Sequence, residues 1–312
     1  MLTATLGSAD VAVRNRAILG EGPIWDQRAE RLIWVDIIGG SIHFYDPATG
    51  EDRAVAVGQP VGSVAPRRSG GLVAVTSGGI SILTPEDGRL APLVRVDFDT
   101  RRLRMNDGKC DPVGRYWTGT MALDHVTADA SLYKVDPDLR VTTMLTGVVV
   151  SNGLGWNPDN SKLYYNDTIA RHVEAFDFDL AGGTIRNRRH LIDFSKGPGV
   201  PDGMAVDVAG CLWIAAWGGW CIRRYRPDGA LDRVVELPVA KVTSCCFGGK
   251  DLSEIYVTTS RHELADSDLA RQPPPRHPPI DTPRKGEQGV WRKGPPWRGS
   301  IATGWCWVES VY

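Results

Sequence analysis

A short β-type segment that occurs six times constrains this chain more than any other feature of its sequence. Each copy follows a glycine or a small polar turn, is rich in Trp, Tyr, Ile and Val, and starts 40 to 49 residues after the previous copy. The copies occupy residues 31–36, 71–75, 114–119, 161–165, 210–215 and 253–257. A period of this length with several strands per unit is typical of β-propeller blades and not of helical solenoids. The sequence therefore predicts an all-β, six-bladed propeller with few helices.

Four loops next to these segments carry an oxygen-bearing side chain beside a glycine. They contain Glu21, Asn106, Asn152 and Asp202, which precede or begin the first, third, fourth and fifth units. Each motif alone is typical of an ordinary turn, because Asn-Gly and Asp-Gly pairs commonly join strands. Loops between propeller blades converge at one end of the central channel, here called the mouth. We therefore expect these four side chains, which are distant in sequence, to meet at the mouth.

The overall charge and hydrophobicity argue against several classes of protein. The chain has 312 residues, a net charge of −1, and 42% hydrophobic and 23% charged residues, which are ordinary values for a globular protein. The near-neutral charge gives no indication of a nucleic-acid or acidic-membrane partner. No apolar run approaches the roughly 20 residues that span a bilayer. Residues 1–10 lack the basic start and apolar core of a signal peptide, so a cytoplasmic location is predicted.

The spacing of cysteines and histidines argues against a metal site built from these residues. The six cysteines include no C-x-x-C pair, and the adjacent Cys245 and Cys246 in an apolar run are interpreted as small core residues. The six histidines are scattered and include no H-x-x-x-H pair. A His-based metal site is therefore not expected.

The C-terminal stretch 272–312 departs from the repeat. Eight of the 21 prolines lie in it, and from Arg271 onward there are seven basic residues and three acidic ones. Proline lacks the N–H that a central strand needs, so this stretch is not expected to supply one. Residues 1–271 are therefore predicted to form a single propeller domain. Residues 272–312 are predicted to be an atypical, basic, Pro/Trp-rich tail that is poorly ordered. A binding arm, a flexible extension and the product of a reading-frame shift near Gln272 are alternative interpretations of this tail.

Five motifs, in the same order and at compatible spacings, resemble the regucalcin–gluconolactonase (senescence marker protein-like) family. The motifs are Leu19-Gly20-Glu21-Gly22-Pro23-Ile24-Trp25, the stretch from Arg104 to Pro112, Ser151-Asn152-Gly153-Leu154, Pro201-Asp202-Gly203-Met204 and the stretch from Thr243 to Gly249. The resemblance runs from about Gly20 to Gln272. It implies a six-bladed propeller that binds one divalent metal ion in its channel and hydrolyses sugar lactones.

The same resemblance implies roles for individual residues. Three oxygen-bearing residues correspond to the family's metal ligands, and they are Glu21, Asn152 and Asp202. Three further polar residues correspond to its substrate contacts, and they are Arg104, Asn106 and Asp124. At the last of these the family often has a Glu, which is one methylene longer than the Asp found in this chain.

The resemblance also predicts a defect in the last blade. Family members continue past the Gln272 region with β-strands that finish this blade, whereas this chain has Pro-rich sequence in that place. A propeller ring is usually closed by pairing of strands from the two ends of the chain, because an unpaired sheet edge is a liability. We therefore expect an incomplete last blade, with residues 11–13 lacking part of their partner.

Two carboxylates and one amide oxygen would make an all-oxygen metal site with positions open for water and substrate. Such a site suits Ca²⁺, Mg²⁺ or Mn²⁺, and the resemblance leaves zinc and iron open as well, so one divalent ion is the expected cofactor. An open metal site polarises a lactone carbonyl and lowers the pKa of bound water. Asp202 is the expected base for the attacking water. Arg104 would serve as a fixed donor to sugar hydroxyls or to the developing oxyanion, and Asn106 would hydrogen-bond a ring hydroxyl.

The expected reaction is a gluconolactonase-like opening of a small-molecule sugar lactone to the aldonic acid, a step of carbohydrate metabolism. Two alternatives remain open, because a propeller mouth can host unrelated functions. One is a related metal-dependent esterase or organophosphate hydrolase. The other is a propeller that binds calcium or a sugar acid without catalysis. The resemblance leaves the particular lactone, the metal ion and the oligomeric state open.

Overall fold

A computed structural model describes residues 10–271 and 289–293 of the chain. These residues form six four-stranded sheets whose neighbouring strands are hydrogen-bonded. One short helix, α1 (Asp266–Arg271), and one 3-10 turn (Phe194–Lys196) are the helical elements in the described ranges. The predicted all-β propeller with few helices is thus confirmed. Within the same ranges, no helix has the length and hydropathy needed to cross a membrane.

Five sheets are blades made of four consecutive antiparallel strands each. The first two contain β2 (Gly20–Asp26), β3 (Arg31–Asp36), β4 (Ser41–Asp46) and β5 (Glu51–Ala56), then β6 (Val61–Pro66), β7 (Leu72–Thr76), β8 (Gly79–Leu83) and β9 (Leu90–Arg95). The third and fourth contain β10 (Leu103–Cys110), β11 (Tyr116–Ala122), β12 (Ala130–Val135) and β13 (Val141–Val148), then β14 (Ser151–Trp156), β15 (Lys162–Asp167), β16 (His172–Asp179) and β17 (Thr184–Asp193). The fifth contains β18 (Val200–Val206), β19 (Leu212–Trp217), β20 (Cys221–Tyr225) and β21 (Leu231–Glu236).

The sixth sheet joins the two ends of the described chain. Its strands are β1 (Asp10–Arg14), β22 (Val242–Gly248), β23 (Glu254–Thr259) and β24 (Gly289–Lys293), in the order β1-β24-β23-β22. The pairing of Asp10 with Arg292 and of Thr258 with Val290 shows that β24 lies between β1 and β23.

This sheet corrects the expectation that residues 11–13 lack part of their partner and that no strand follows Gln272. The physical reason is that no proline lies between Pro283 and Pro295, so every residue of β24 keeps an N–H for the ladder. Residues 272–288 and 294–312 lie outside the described residues. Their predicted poor order, and the division of the chain at residue 271, stay predictions.

The centre of the ring is lined by the first strand of each of the five consecutive blades and by β22 of the sixth sheet. β2, β6, β10, β14 and β18 each contact the first strand of the next sheet, and β22 contacts β2, so the ring is closed. Every residue of β6 and β14 is buried, whereas most residues of the outer strand β17 are exposed or half-buried. Functional side chains on the first strands therefore lie in a site largely shielded from bulk water.

Buried Trp–Asp pairs stabilise three of the blades from within. The indole Nε1 atoms of three fully buried tryptophans on second strands each donate to a carboxylate at 3.0–3.2 Å. The pairs are Trp34 with Asp52, Trp117 with Asp111, and Trp213 with Asp207. Since a buried indole N–H without a partner would cost free energy, these bonds fix the second strands against which the first strands pack.

Candidate metal and substrate site at the channel mouth

Five of the six residues singled out in the sequence lie on first strands of the ring. The structure places Glu21 on β2, Arg104 and Asn106 on β10, Asn152 on β14, and Asp202 on β18. Each stands in the N-terminal half of its strand, so equivalent positions of four blades are used. The expectation that these residues come together from distant parts of the chain fits this placement.

The residues lie at breaks in strand pairing and not in loops between strands. The register of the first strand against the second shifts between Glu21 and Ile24, between Met105 and Gly108, between Asn152 and Leu154, and between Pro201 and Met204. A β-bulge leaves a residue out of the ladder and redirects its side chain, and it is over-represented beside active sites. The Gly and Pro residues that suggested turns are therefore part of bulged inner strands, which corrects their assignment to loops.

Gly153 shows how closely the inner strands approach one another at the mouth. A β-carbon on this residue would stand 2.5 Å from the carbonyl oxygen of Asp202 and closer still to the side-chain nitrogen of Asn166. Glycine is therefore required here by packing between β14 and β18. The contact sets the position of Asn152 relative to Asp202.

Two of the proposed ligand atoms are buried without a hydrogen-bond partner in the described part of the chain. These atoms are Asn152 Oδ1 and Asp202 Oδ1. The Asn152 amide is held by its Nδ2, which donates to Thr168 Oγ1 at 3.1 Å, so its oxygen remains free. The Asp202 backbone is held by Asn166 Nδ2, which donates to its carbonyl at 2.8 Å. An unpaired buried oxygen is costly, and a hard divalent cation is the partner that such oxygens suit.

The charges of the site also fit a bound cation. Burial raises the pKa of Glu21 to about 8, with a smaller contribution in the same direction from the charge of Asp107. Burial, followed by the charges of Glu21 and Asp107, raises the pKa of Asp202 well above its ordinary value. The pKa of the buried Asp107 is raised as well, chiefly by desolvation. Three buried carboxyl groups thus repel one another, and a divalent cation between them would favour their charged forms.

Arg104 and Asn106 form a hydrogen-bonded unit beside these carboxyl groups. Arg104 Nη1 donates to Asn106 Oδ1 at 2.8 Å, and Asn106 Nδ2 donates to the carbonyl of Ser151 at 2.9 Å. Burial lowers the pKa of Arg104 to about 10, while the charges of Glu21 and Asp202 act in the opposite direction. The guanidinium therefore stays charged at neutral pH and supplies a fixed positive group near the proposed ligands.

Asp124 is placed differently from the other five residues. It is exposed in the turn after β11, and its carboxylate accepts bonds from the backbone N–H groups of Val126 and Thr127, each at 2.9 Å. Bonds from Thr127 and Val126 lower its pKa to about 2. The structure thus engages this side chain in its own turn, and its role as a substrate contact stays a prediction.

Three supporting residues were not singled out from the sequence. Asp107 is a third buried carboxylate of the site, and Thr168 and Asn166 position the side chain of Asn152 and the backbone of Asp202. Asn166 is the cross-strand partner of Asn152. A β14–β15 hairpin drawn from the sequence could have identified it, because directly opposite residues share a face of the sheet.

A second cluster of metal-ligating side chains lies on outer strands of the fourth blade. It consists of His172, Glu174 and His190, whose ligand atoms lie within 4.8 Å of one another. The expectation that the histidines are too scattered for a metal site does not hold for this cluster. His172 and Glu174 form an H-x-E pair on one face of β16, and His190 pairs with Glu174 across the ladder.

Comparison with known proteins covers most of the chain. Residues 19–261 match the family model described as the SMP-30/gluconolactonase/LRE-like region. Regucalcin of Oryctolagus cuniculus is 43% identical over 260 residues, which cover 81% of this chain and 87% of that protein.

Two solved structures have the same fold over nearly their full lengths. The calcium-binding protein regucalcin from Agrobacterium tumefaciens has a TM-score of 0.86 and 25% identity, covering 96% of this chain and 97% of its own. A luciferin-regenerating enzyme has a TM-score of 0.85 and 30% identity, covering 96% of this chain and 98% of its own. The family match over residues 19–261 spans all five sequence motifs.

Proposed function

We propose that this chain, which belongs to the SMP-30/gluconolactonase/LRE-like family, is a divalent-metal-dependent hydrolase. It would open a sugar lactone to the aldonic acid. The main support is the pair of buried oxygens on Asn152 and Asp202, which have no hydrogen-bond partner among the described residues and lie beside the buried Glu21. The predicted cytoplasmic location and the lack of nucleic-acid and membrane partners stay predictions.

The metal ion would be held by Glu21, Asn152 and Asp202. When bound, it would supply Lewis-acid polarisation of the lactone carbonyl and would acidify a water molecule. The all-oxygen ligand set favours calcium, magnesium or manganese over softer ions, with zinc and iron remaining to be tested.

The side chains of the mouth would carry the remaining steps. Asp202 would accept the proton of the attacking water, because a carboxylate held at the metal can take up a proton while it stays oriented toward that water. Arg104 would donate to the oxyanion that develops on the carbonyl, or to a sugar hydroxyl. Asn106, already held by Arg104 and Ser151, would accept a bond from a ring hydroxyl with its remaining lone pair.

A propeller that binds calcium without catalysis is the second candidate. It is favoured by the similarity to the regucalcin of Agrobacterium tumefaciens, which is described as a calcium-binding protein. The intact set of Asp202, Arg104 and Asn106 beside the metal ligands favours the hydrolase, because a binding site alone needs neither a base nor an oxyanion donor.

Acid release from a panel of γ- and δ-lactones tests the proposal. Asp202→Asn is expected to lower the rate on the order of 100-fold or more, whereas Asp228→Asn, at an exposed turn, should leave it unchanged. A chelator should abolish turnover, and re-addition of single defined ions should restore it and identify the metal.

Each other outcome would contradict the proposal. Equal rates for the wild type and Asp202→Asn would rule out Asp202 as the base. Calcium binding without turnover of any lactone would identify the non-catalytic propeller. Hydrolysis of paraoxon without hydrolysis of lactones would assign the site to a related hydrolase.

A further inference from the structure

The cluster of His172, Glu174 and His190 is built by the pairing of β16 with β17. His172 and Glu174 are two residues apart on one strand and share a face, and Glu174 pairs directly with His190. His172 Nε2 lies 3.2 Å from Glu174 Oε1, and His190 Nε2 lies 3.7 Å from the same oxygen. The two imidazole rings stack with centroids 3.9 Å apart. Two ring nitrogens and a carboxylate oxygen therefore converge on one small volume.

The hydrogen bonding of His172 shows which of its two ring nitrogens presents a lone pair to the carboxylate of Glu174. Its Nδ1 lies 2.8 Å from the carbonyl oxygen of Ala170, which can only accept, so Nδ1 carries the hydrogen. In the neutral ring, Nε2 is then an acceptor that faces a second acceptor, Glu174 Oε1, at 3.2 Å. Either a proton or a metal ion is needed between two such atoms. A backbone carbonyl on the far nitrogen is also the usual outer partner of a metal-binding histidine.

Protonation of the histidines and the neighbouring Arg188 are the ordinary ways to satisfy this carboxylate. Arg188 Nε donates to Glu174 Oε1 at 2.8 Å. Glu174 is 2% exposed, so its charge needs compensation. However, protonation of both stacked rings would place two positive charges within van der Waals contact. One divalent ion would satisfy both ring nitrogens and the carboxylate together.

The surroundings allow the small movement that metal binding needs. Metal–nitrogen distances near 2.0–2.1 Å require the His190 ring to turn out of its stack, and this side chain is 70% exposed. The competing Arg188 side chain is 54% exposed and can swing into solvent. The more enclosed His172 and the buried Glu174 provide the fixed half of the site.

We propose that His172, Glu174 and His190 form a second metal site, separate from the channel mouth, that takes one divalent transition-metal ion of the zinc class. Two imidazoles and one carboxylate are donors that zinc prefers, with a water at the fourth position. The mouth offers oxygen donors alone, which favour harder ions than two imidazoles do. The ion would also link β16 to β17 and so stabilise the fourth blade.

Zinc titration of the full chain, with a competing metallochromic chelator, tests this proposal. The wild type is expected to bind zinc at a site whose affinity falls at least about 10-fold in His190→Gln and in His172→Gln. His190→Gln alters an exposed side chain, so it should not impair folding. His125→Gln, a change at an exposed histidine in another blade, should keep the wild-type zinc affinity.

The comparison with calcium tests the selectivity. Calcium binding and lactone turnover should be the same in the wild type and in the His172→Gln/His190→Gln double variant. Zinc binding with equal affinity and stoichiometry in all variants would overturn the site. A loss of calcium binding as large as the loss of zinc binding would overturn its assignment to transition metals.

Discussion

Arg104 Nη1 donates a 2.8 Å hydrogen bond to the side-chain oxygen of Asn106, two residues along the same inner strand. The same nitrogen donates to the carbonyl of Met105 at 3.0 Å. Asn106 in turn donates to Ser151 on the next blade. Arg104 therefore fixes a side chain that bridges two blades, beside Glu21 and Asp202, whose charges act on its guanidinium.

Replacement of this arginine tests its role in catalysis. Arg104→Lys keeps the positive charge but cannot hold Asn106 and a substrate oxygen through one planar fork. We expect kcat/KM for lactones to fall about 100-fold. Arg101→Lys is the matched control, because Arg101 belongs to the same basic group and is 87% exposed. An unchanged kcat/KM in Arg104→Lys would show that the positive charge is sufficient and that the planar fork is not needed.

The raised pKa of Glu21 predicts how the metal-free protein responds to pH. Burial and the charge of Asp107 raise this pKa from 4.5 to about 8, so the fold favours the protonated carboxyl. Between these values the native state binds more protons than the unfolded state, so stability should decrease as pH rises from about 5 to 8. Thermal unfolding in excess chelator should show a smaller decrease in Glu21→Gln, which cannot ionise. A Tm that rises with pH more in the wild type than in this variant would contradict the prediction.

The close approach of β14 and β18 predicts the effect of adding one methyl group. In Gly153→Ala the new β-carbon would stand 2.5 Å from the carbonyl of Asp202, so one of the strands must move. We expect a loss of about 1–3 kcal/mol in the free energy of unfolding, together with weaker binding of the divalent ion at the mouth. Gly78→Ala is the control, since its β-carbon would have no neighbour within 4 Å. Unchanged metal affinity in Gly153→Ala would show that the mouth tolerates the shift.

The composite sixth sheet predicts that the tail contributes to stability. Truncation after Arg271 removes β24 and leaves β1 and β23 with unpaired edges. We expect Tm to fall on the order of 5–10 °C and the protein to aggregate more readily. Truncation after residue 293, which keeps β24, should have a much smaller effect. The same Tm for both truncations would show that the pairing of β24 does not stabilise the ring.

The blade architecture could be predicted because the second strands carry strong β-type sequence. Segments such as 31–36 and 253–257 correspond to β3 and β23 almost residue for residue. The first strands were not predicted as strands, because they contain Gly, Pro, Asn and Asp, which are poor strand formers. β2, for example, begins Gly-Glu-Gly-Pro. Packing at the centre of the ring overrides this local preference.

The proposed ligand set came from a resemblance in motif order, whereas the second cluster depends on strand register. Pairing of β16 with β17 shifts between Val173 and Glu174 and again between Ala175 and Asp177. Counting residues from the turn would therefore have misplaced His190. β24 was not predicted for another reason. Prolines stand on both sides of its five residues, so the whole stretch was interpreted as unable to pair.

The sharing of one sheet between β1 and β24 also has a consequence for how the protein is made. All the proposed ligands of the mouth, from Glu21 to Asp202, are synthesised well before residues 289–293 leave the ribosome. The nascent chain therefore carries its complete set of ligands before β24, the strand that joins β1 to β23, has been translated. A ribosome stalled before residue 289 would present a chain with every chemical group of the mouth but without the strand that links β1 to the sixth sheet.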